Sequence, residues 1–175
     1  MEHLDTLKQQ LRTERPIPWD LLPDINLYMD QVLSYLPRQL IAFDEKEKLT
    51  SAMVNNYSKE KLLPRAQGKH YTRDHLAHLT AISALKQVLS VKEIQTLLTA
   101  LGEGRDAKCL YEEFCTVLDG ALSGAADRLD EEVQTPEALA TLALTLALDS
   151  YAARLACTRL LALLEPPAPK KEKGK

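Results

Sequence analysis

Asn55 and Lys59 stand four residues apart in the stretch SAMVNNYSKEK. On a helix that spacing puts both on one face, away from Met53, Val54 and Tyr57. An asparagine carboxamide can bridge N6 and N7 of adenine, and a lysine ammonium pairs with phosphate or guanine. The face therefore carries the chemistry of base-edge reading; the same residue types also make an ordinary solvated surface. Arg65, Lys69 and Arg73 follow within a turn-forming segment and the start of the next helix. A basic turn of this kind either grips backbone phosphates or is plain surface.

Other chemistries find less support. His70, His75 and His78 form an H-x4-H-x2-H cluster in which the last two are one helical turn apart. A zinc site needs three or four ligands of fixed geometry, and no nearby cysteine completes one, so no metal is expected. Cys109, Cys115 and Cys157 form no CxxC pair. They read as small hydrophobes, with sensing of metal or oxidant as the alternative for Cys109 and Cys115. Glycine-rich phosphate loops, nucleophile elbows and HExxH are missing, and Asp130-Glu131-Glu132 is a charge run rather than a placed acid–base pair. No catalytic residue, enzyme activity or cofactor is expected.

The net charge is −3, but its distribution is uneven. Residues 46–73 carry seven basic side chains against Glu47 and Glu60, a local excess of about +5. Residues 101–150 carry eleven acidic side chains against Arg105, Lys108 and Arg128, about −8. One end of the molecule suits phosphates and the other repels them. An odd cysteine count and a charged N-terminus, MEHLDTLKQQLRTER, suit a reducing cytoplasm. The most apolar stretch, residues 138–148, is too short to span a bilayer, so no membrane partner is expected.

The elements that must hold these groups are helical. Aromatics make up only 5% of the 175 residues, while Leu and Ala abound. Leu4, Leu7 and Leu11 mark a first amphipathic helix, ended by Arg15-Pro16-Ile17-Pro18 and followed by Trp19 as an anchor. Asp24 can cap a second helix with Ile25, Tyr28, Met29, Val32, Leu33 and Leu36 inward. The run Asp44-Glu45-Lys46-Glu47-Lys48 reads as solvated loop. Thr50 caps a third helix that fades near Lys61, Gln67-Gly68 signals a turn, and Thr72 caps a fourth helix along Leu76, Leu79, Ile82 and Leu85. Ser90 and Glu93 form an S-x-x-E capping box for a fifth helix through Leu98. A sixth helix carries Leu110, Phe114, Val117, Leu118 and Leu122 and ends or bends at Ser123-Gly124. Pro136 opens a last helix of about thirty residues, apolar around much of its circumference, which demands burial on more than one side. The tail EPPAPKKEKGK is expected to be disordered.

The phrases LPDINLYMDQV, MVNNYSKEKLLP and LKQVLSVKEI resemble a family described as domain of unknown function 1836, over roughly residues 19–160. Residues 49–98 also resemble the DNA-binding domain of MerR-type regulators. Tyr57 and Leu62-Leu63-Pro64 match the exit of its recognition helix, Lys69-His70-Tyr71-Thr72 the end of its wing, and residues 85–94 its last turn and helix. Asn55 stands where that pattern has arginine, Lys61 where it has glycine, and Lys69 where the wing has arginine.

The resemblance implies an all-α fold with a minor β wing: a winged helix-turn-helix core plus a C-terminal helical dimerisation region. The expected organisation is an N-terminal helix and linker over 1–18, the winged domain over 19–101, the dimerisation or effector region over 102–165, and a tail over 166–175. The implied partner is double-stranded DNA, contacted by Thr50, Ser51, Asn55, Asn56 and Lys59 from the helix and Arg65, Lys69, His70, Tyr71 and Arg73 from the wing. The implied role is sequence-specific transcriptional regulation; a helical interaction or scaffold module without DNA binding is the alternative. The last helix is expected to build a homodimer through Leu142, Leu146, Tyr151 and Leu155.

Overall fold

A computed structural model of the chain describes residues 2–42, 49–66, 68–129 and 135–164. The charged run 44–48, Gln67 of the expected turn, the acidic run 130–132 and the tail 166–175 lie outside the described residues. The described chain is helical: α1 (Glu2–Thr13), α2 (Met29–Tyr35), α3 (Ser51–Lys59), α4 (Arg73–Leu85), α5 (Val91–Gly102), α6 (Ala107–Leu129) and α7 (Pro136–Leu164), with single 3-10 turns at Trp19–Leu21 and Leu36–Arg38. No strand occurs among the described residues; β structure is one antiparallel bridge between Leu27 and Tyr71. The wing therefore lacks the paired strands expected of it. Leu62 and Leu63 turn into the core instead, and among the described residues the ladder partner of Tyr71 is Leu27.

That bridge also explains why α2 starts late. Leu27 exchanges both backbone hydrogen bonds with Tyr71, at 2.9 and 2.8 Å, so it is extended and cannot enter a helix. The helix begins at Met29, with Gln31 reaching back to accept from the Tyr28 N–H at 2.8 Å. Asp24 is thus not the cap, and Ile25 and Tyr28 are exposed. The other caps fall where the residue types put them. Thr50 accepts from the Met53 N–H, and Ser90 and Glu93 close a reciprocal box. Thr72 caps α4, and His75 accepts from the Thr72 N–H.

α3 ends in a Schellman motif. The Leu62 N–H bonds the Tyr57 carbonyl at 2.8 Å and the Lys61 N–H bonds that of Ser58 at 3.3 Å. Lys61 occupies the left-handed position, φ 58°, the place where the resembled pattern carries glycine.

Val32, Val54, Leu76, Leu79, Ile82 and Ile94 have no exposed surface and form the centre of a core shared by α2, α3, α4 and α5, with Leu161 of α7 at its edge. Each such side chain contributes roughly 1.5–3 kcal/mol by leaving water. A second cluster, Leu22, Ala77 and Tyr111, joins α4 to the start of α6. There the Tyr111 hydroxyl donates to the Ile17 carbonyl at 2.8 Å and Gln39 Oε1 accepts from the Ile17 N–H at 3.0 Å, which pins the Pro-Ile-Pro connector. Trp19 packs against this cluster, as an anchor would.

α6 runs through Ser123 and Gly124 without a break. Tertiary contact overrides the local signal: α1 lies along it, and Arg15 binds both Asp119 and Ser123.

Candidate nucleic-acid interface

α3 packs through Val54 and Tyr57, so the 3.6-residue repeat turns Ser51, Asn55 and Lys59 outward. Those three and Asn56 are exposed. Thr50 is exposed too, but its hydroxyl is committed to the cap.

The Schellman turn then folds the chain back beside Lys59. Ser58, Lys59, Lys61, Pro64 and Arg65 rim an open cleft of about 430 Å³, closed on its far side by His78, Gln95 and Thr99. Leu62, Leu63 and Leu98 make its floor, and no acidic side chain lines it. Gln95 Nε2 donates to the Glu60 carbonyl at 3.0 Å and so ties α5 to the end of α3. Lys59 belongs both to the outward face of α3 and to the cleft. The result is one surface: carboxamides at one end and three exposed cations at the other. Such a surface can position a polyanion through the cations and present neutral donors and acceptors to whatever lies beside it.

The expected contact residues separate into two groups. Arg65 and Lys69 are exposed, and Arg65 joins Lys59 at the cleft. His70 is half-buried against the Tyr28 ring, centroids 4.9 Å apart. Tyr71 is buried, its backbone bridged to Leu27 and its ring edge-on to His75; burial pushes its hydroxyl pKa up. Arg73 pairs with Asp24 at 3.5 Å and lies 5.7 Å over the Trp19 ring, with its side chain 21% exposed. Tyr71 and Arg73 are therefore engaged inside the fold and do not extend the cationic surface.

Lys61, His78 and Gln95 join the cleft without having been singled out as contacts. Lys61 had a signal, since a lysine in a glycine position is aimed by the left-handed turn. His78 and Gln95 had none, because only the packing of α4 and α5 brings them to α3.

The histidines are not gathered as ligands. His75 is buried with Nδ1 taken by the Thr72 N–H, and His78 Nδ1 contacts the Asp74 carbonyl at 2.8 Å. Among the described residues no three His, Cys, Asp or Glu side chains group as a metal site. Burial drives the His75 pKa down. Two thiols have their pKa raised: a hydrogen bond with Asp106 raises Cys109, and burial raises Cys115.

Residues 17–114 match the family described as "Domain of unknown function (DUF1836)", more than half of the chain. The matched segment starts at the pinned connector and ends within α6, so it holds both hydrophobic clusters except Cys115 and the contribution of α7. Neither a curated protein nor a solved structure matches the chain.

Proposed function

The chain belongs to the DUF1836 family, and we propose that it is a sequence-specific DNA-binding protein acting as a transcriptional regulator in the cytoplasm. In this reading α2 and α3 are the helix-turn-helix, α3 is the reader, and the turn after it is a strandless wing. The observation that carries it is the continuity of Asn55, Asn56 and Lys59 with the acid-free cleft of Lys61 and Arg65. Carboxamides on the helix read base edges, and the cations beyond them clamp phosphate.

Fluorescence anisotropy with genomic fragments from around the protein's own gene tests this. Affinity should fall by orders of magnitude between about 50 and 200 mM salt, because several phosphates are neutralised. Asn55→Ala should weaken specific binding by about 1–3 kcal/mol while sparing random duplex. Lys59→Ala and Lys69→Ala should instead weaken all sequences alike. Absence of binding to every fragment at low salt would sink the reading.

One observation favours a second reading, a helical interaction module that does not bind DNA. Arg73, expected on the cationic face, is neutralised by Asp24. Asp24→Asn separates the two: in a DNA-binding protein it removes an exposed negative charge that offsets Arg73 and raises low-salt affinity for duplex.

A further inference from the structure

α7 is about 43 Å long at the helical rise, yet Leu161 is its only buried residue. Two supports hold it. Towards α5, Leu161 enters the core, Cys157 packs beside it and Arg154 binds both carboxylate oxygens of Glu93 at 2.8 and 2.9 Å. Towards α6, Asp149 pairs with Arg128, and Leu142 and Leu146 are half-buried on that side. The helical repeat places Leu144, Leu148, Tyr151 and Leu155 on the side turned from both supports. They are 60%, 58%, 67% and 47% exposed. Leu142 and Leu146 therefore lie on a different side of α7 from Tyr151 and Leu155, the other two residues expected at the dimer interface.

The exposed residues are spaced four, three and four apart, the interval of a coiled-coil seam. A threonine stands three residues beyond each end, at Thr141 and Thr158. This pattern reads the same in both directions. We propose that the seam pairs antiparallel with α7 of a second copy of this chain, about a two-fold axis between Asp149 and Ser150. Leu144 then faces the partner's Leu155, Leu148 the partner's Tyr151, and Thr141 the partner's Thr158.

Charge sets the direction. Glu137 and Arg159 lie near the seam side at opposite ends of the helix. Antiparallel pairing brings each within a turn of its opposite on the partner, whereas parallel pairing stacks like on like. Ala140, Ala147 and Ala152 flank the seam and permit close approach. The pair covers on the order of 1,000 Å² in total, at the lower edge of specific interfaces, so the dimer dissociates in the micromolar range.

A bilayer is the other occupant that length and composition permit, since α7 is long and apolar enough to cross one. Insertion would strip Arg154 from Glu93 and draw Leu161 out of the core, which disfavours it.

Sedimentation of the full chain from 1 to 100 µM, without DNA, tests the pairing independently of the DNA reading. A concentration-dependent monomer–dimer equilibrium is expected. Leu148→Glu should raise the dissociation constant at least tenfold with helicity unchanged, since the side chain is exposed in the monomer. Glu137→Arg should weaken the dimer several-fold, and Arg159→Glu added to it should restore the affinity. A monomer of native helicity at 100 µM, a dimer indifferent to Leu148→Glu, or flotation with phosphatidylcholine–phosphatidylglycerol vesicles would each overturn the proposal. A charge swap that fails to restore affinity would overturn its antiparallel register.

Discussion

α4 and α7 are both apolar helices, and the chain uses them in opposite ways. α4 buries seven of its thirteen residues and touches both hydrophobic clusters. α7 buries one of twenty-nine and is held to the body by its packing on α5 and an ion pair to α6. Apolar content alone therefore does not say what a helix is for. α4 is central because α6 packs along one side of it and its buried face shares a core with side chains of α2, α3 and α5; α7 is not, because α5 is its main neighbour. The family match ends within α6, before α7 begins, so α7 lies outside the matched segment.

The largest test of this contrast is truncation. Leu79→Ala leaves a cavity at a fully buried site and should cost about 2–5 kcal/mol. Leu148→Ala removes the same atoms from an exposed site and should stay within about 0.5 kcal/mol in the monomer. Urea unfolding at sub-micromolar concentration measures both. Equal losses would mean that α7 is covered within a single copy.

His75 comes next, because it lies inside α4's buried face. Burial lowers its pKa below 6.5, so the folded state prefers the neutral ring. The unfolded chain then binds more protons as pH falls below about 6.5, and stability drops with it. Above that range His75 contributes no slope. The urea midpoint should therefore fall between pH 7.5 and pH 5, and His75→Gln should flatten that part of the profile.

A smaller effect is expected at Lys61. Its left-handed backbone costs an L-residue roughly 1 kcal/mol, which glycine avoids. Lys61→Gly should raise the thermal midpoint. It also removes a cation from the cleft, so low-salt DNA affinity should fall while stability rises. If both change in the same direction, Lys61 does not belong to the interface.

Much of the body was legible in the residues. Thr50, Thr72 and Ser90 with Glu93 announced three helix starts because capping is local chemistry. Val54, Tyr57, Leu76, Leu79 and Ile82 announced inward faces because periodicity is local too. Misreadings arose where distant chain decides. Asp24 lost α2 to the Leu27–Tyr71 bridge, Gly124 lost its break to α1, and Arg73 lost its surface position to Trp19 and Asp24. The cleft was half legible: Lys59 and Arg65 were visible in the basic run, whereas His78 and Gln95 arrive from helices that local patterns cannot orient.

The smallest expected effect concerns the joint between the two regions. Glu93 closes the cap of α5 and grips Arg154 of α7, so one carboxylate serves both the body and the projecting helix. The Arg154 guanidinium, helped by the N–H and hydroxyl of Ser90, holds its pKa down at about 2 against an ordinary 4.5. A depressed carboxylate contributes stability that is present above its unfolded pKa and lost as pH falls through the folded one. The joint should therefore hold above pH 4.5 and weaken progressively towards pH 2. The pair is at the surface, so global stability should hardly register its loss. Local opening should. In Glu93→Gln, amides around residues 154–161 should exchange several-fold faster at neutral pH, while those of α4 keep wild-type protection. Exchange that rises equally in α4 and α7 would mean that the two helices open as one unit, and the division between body and projecting helix would fail.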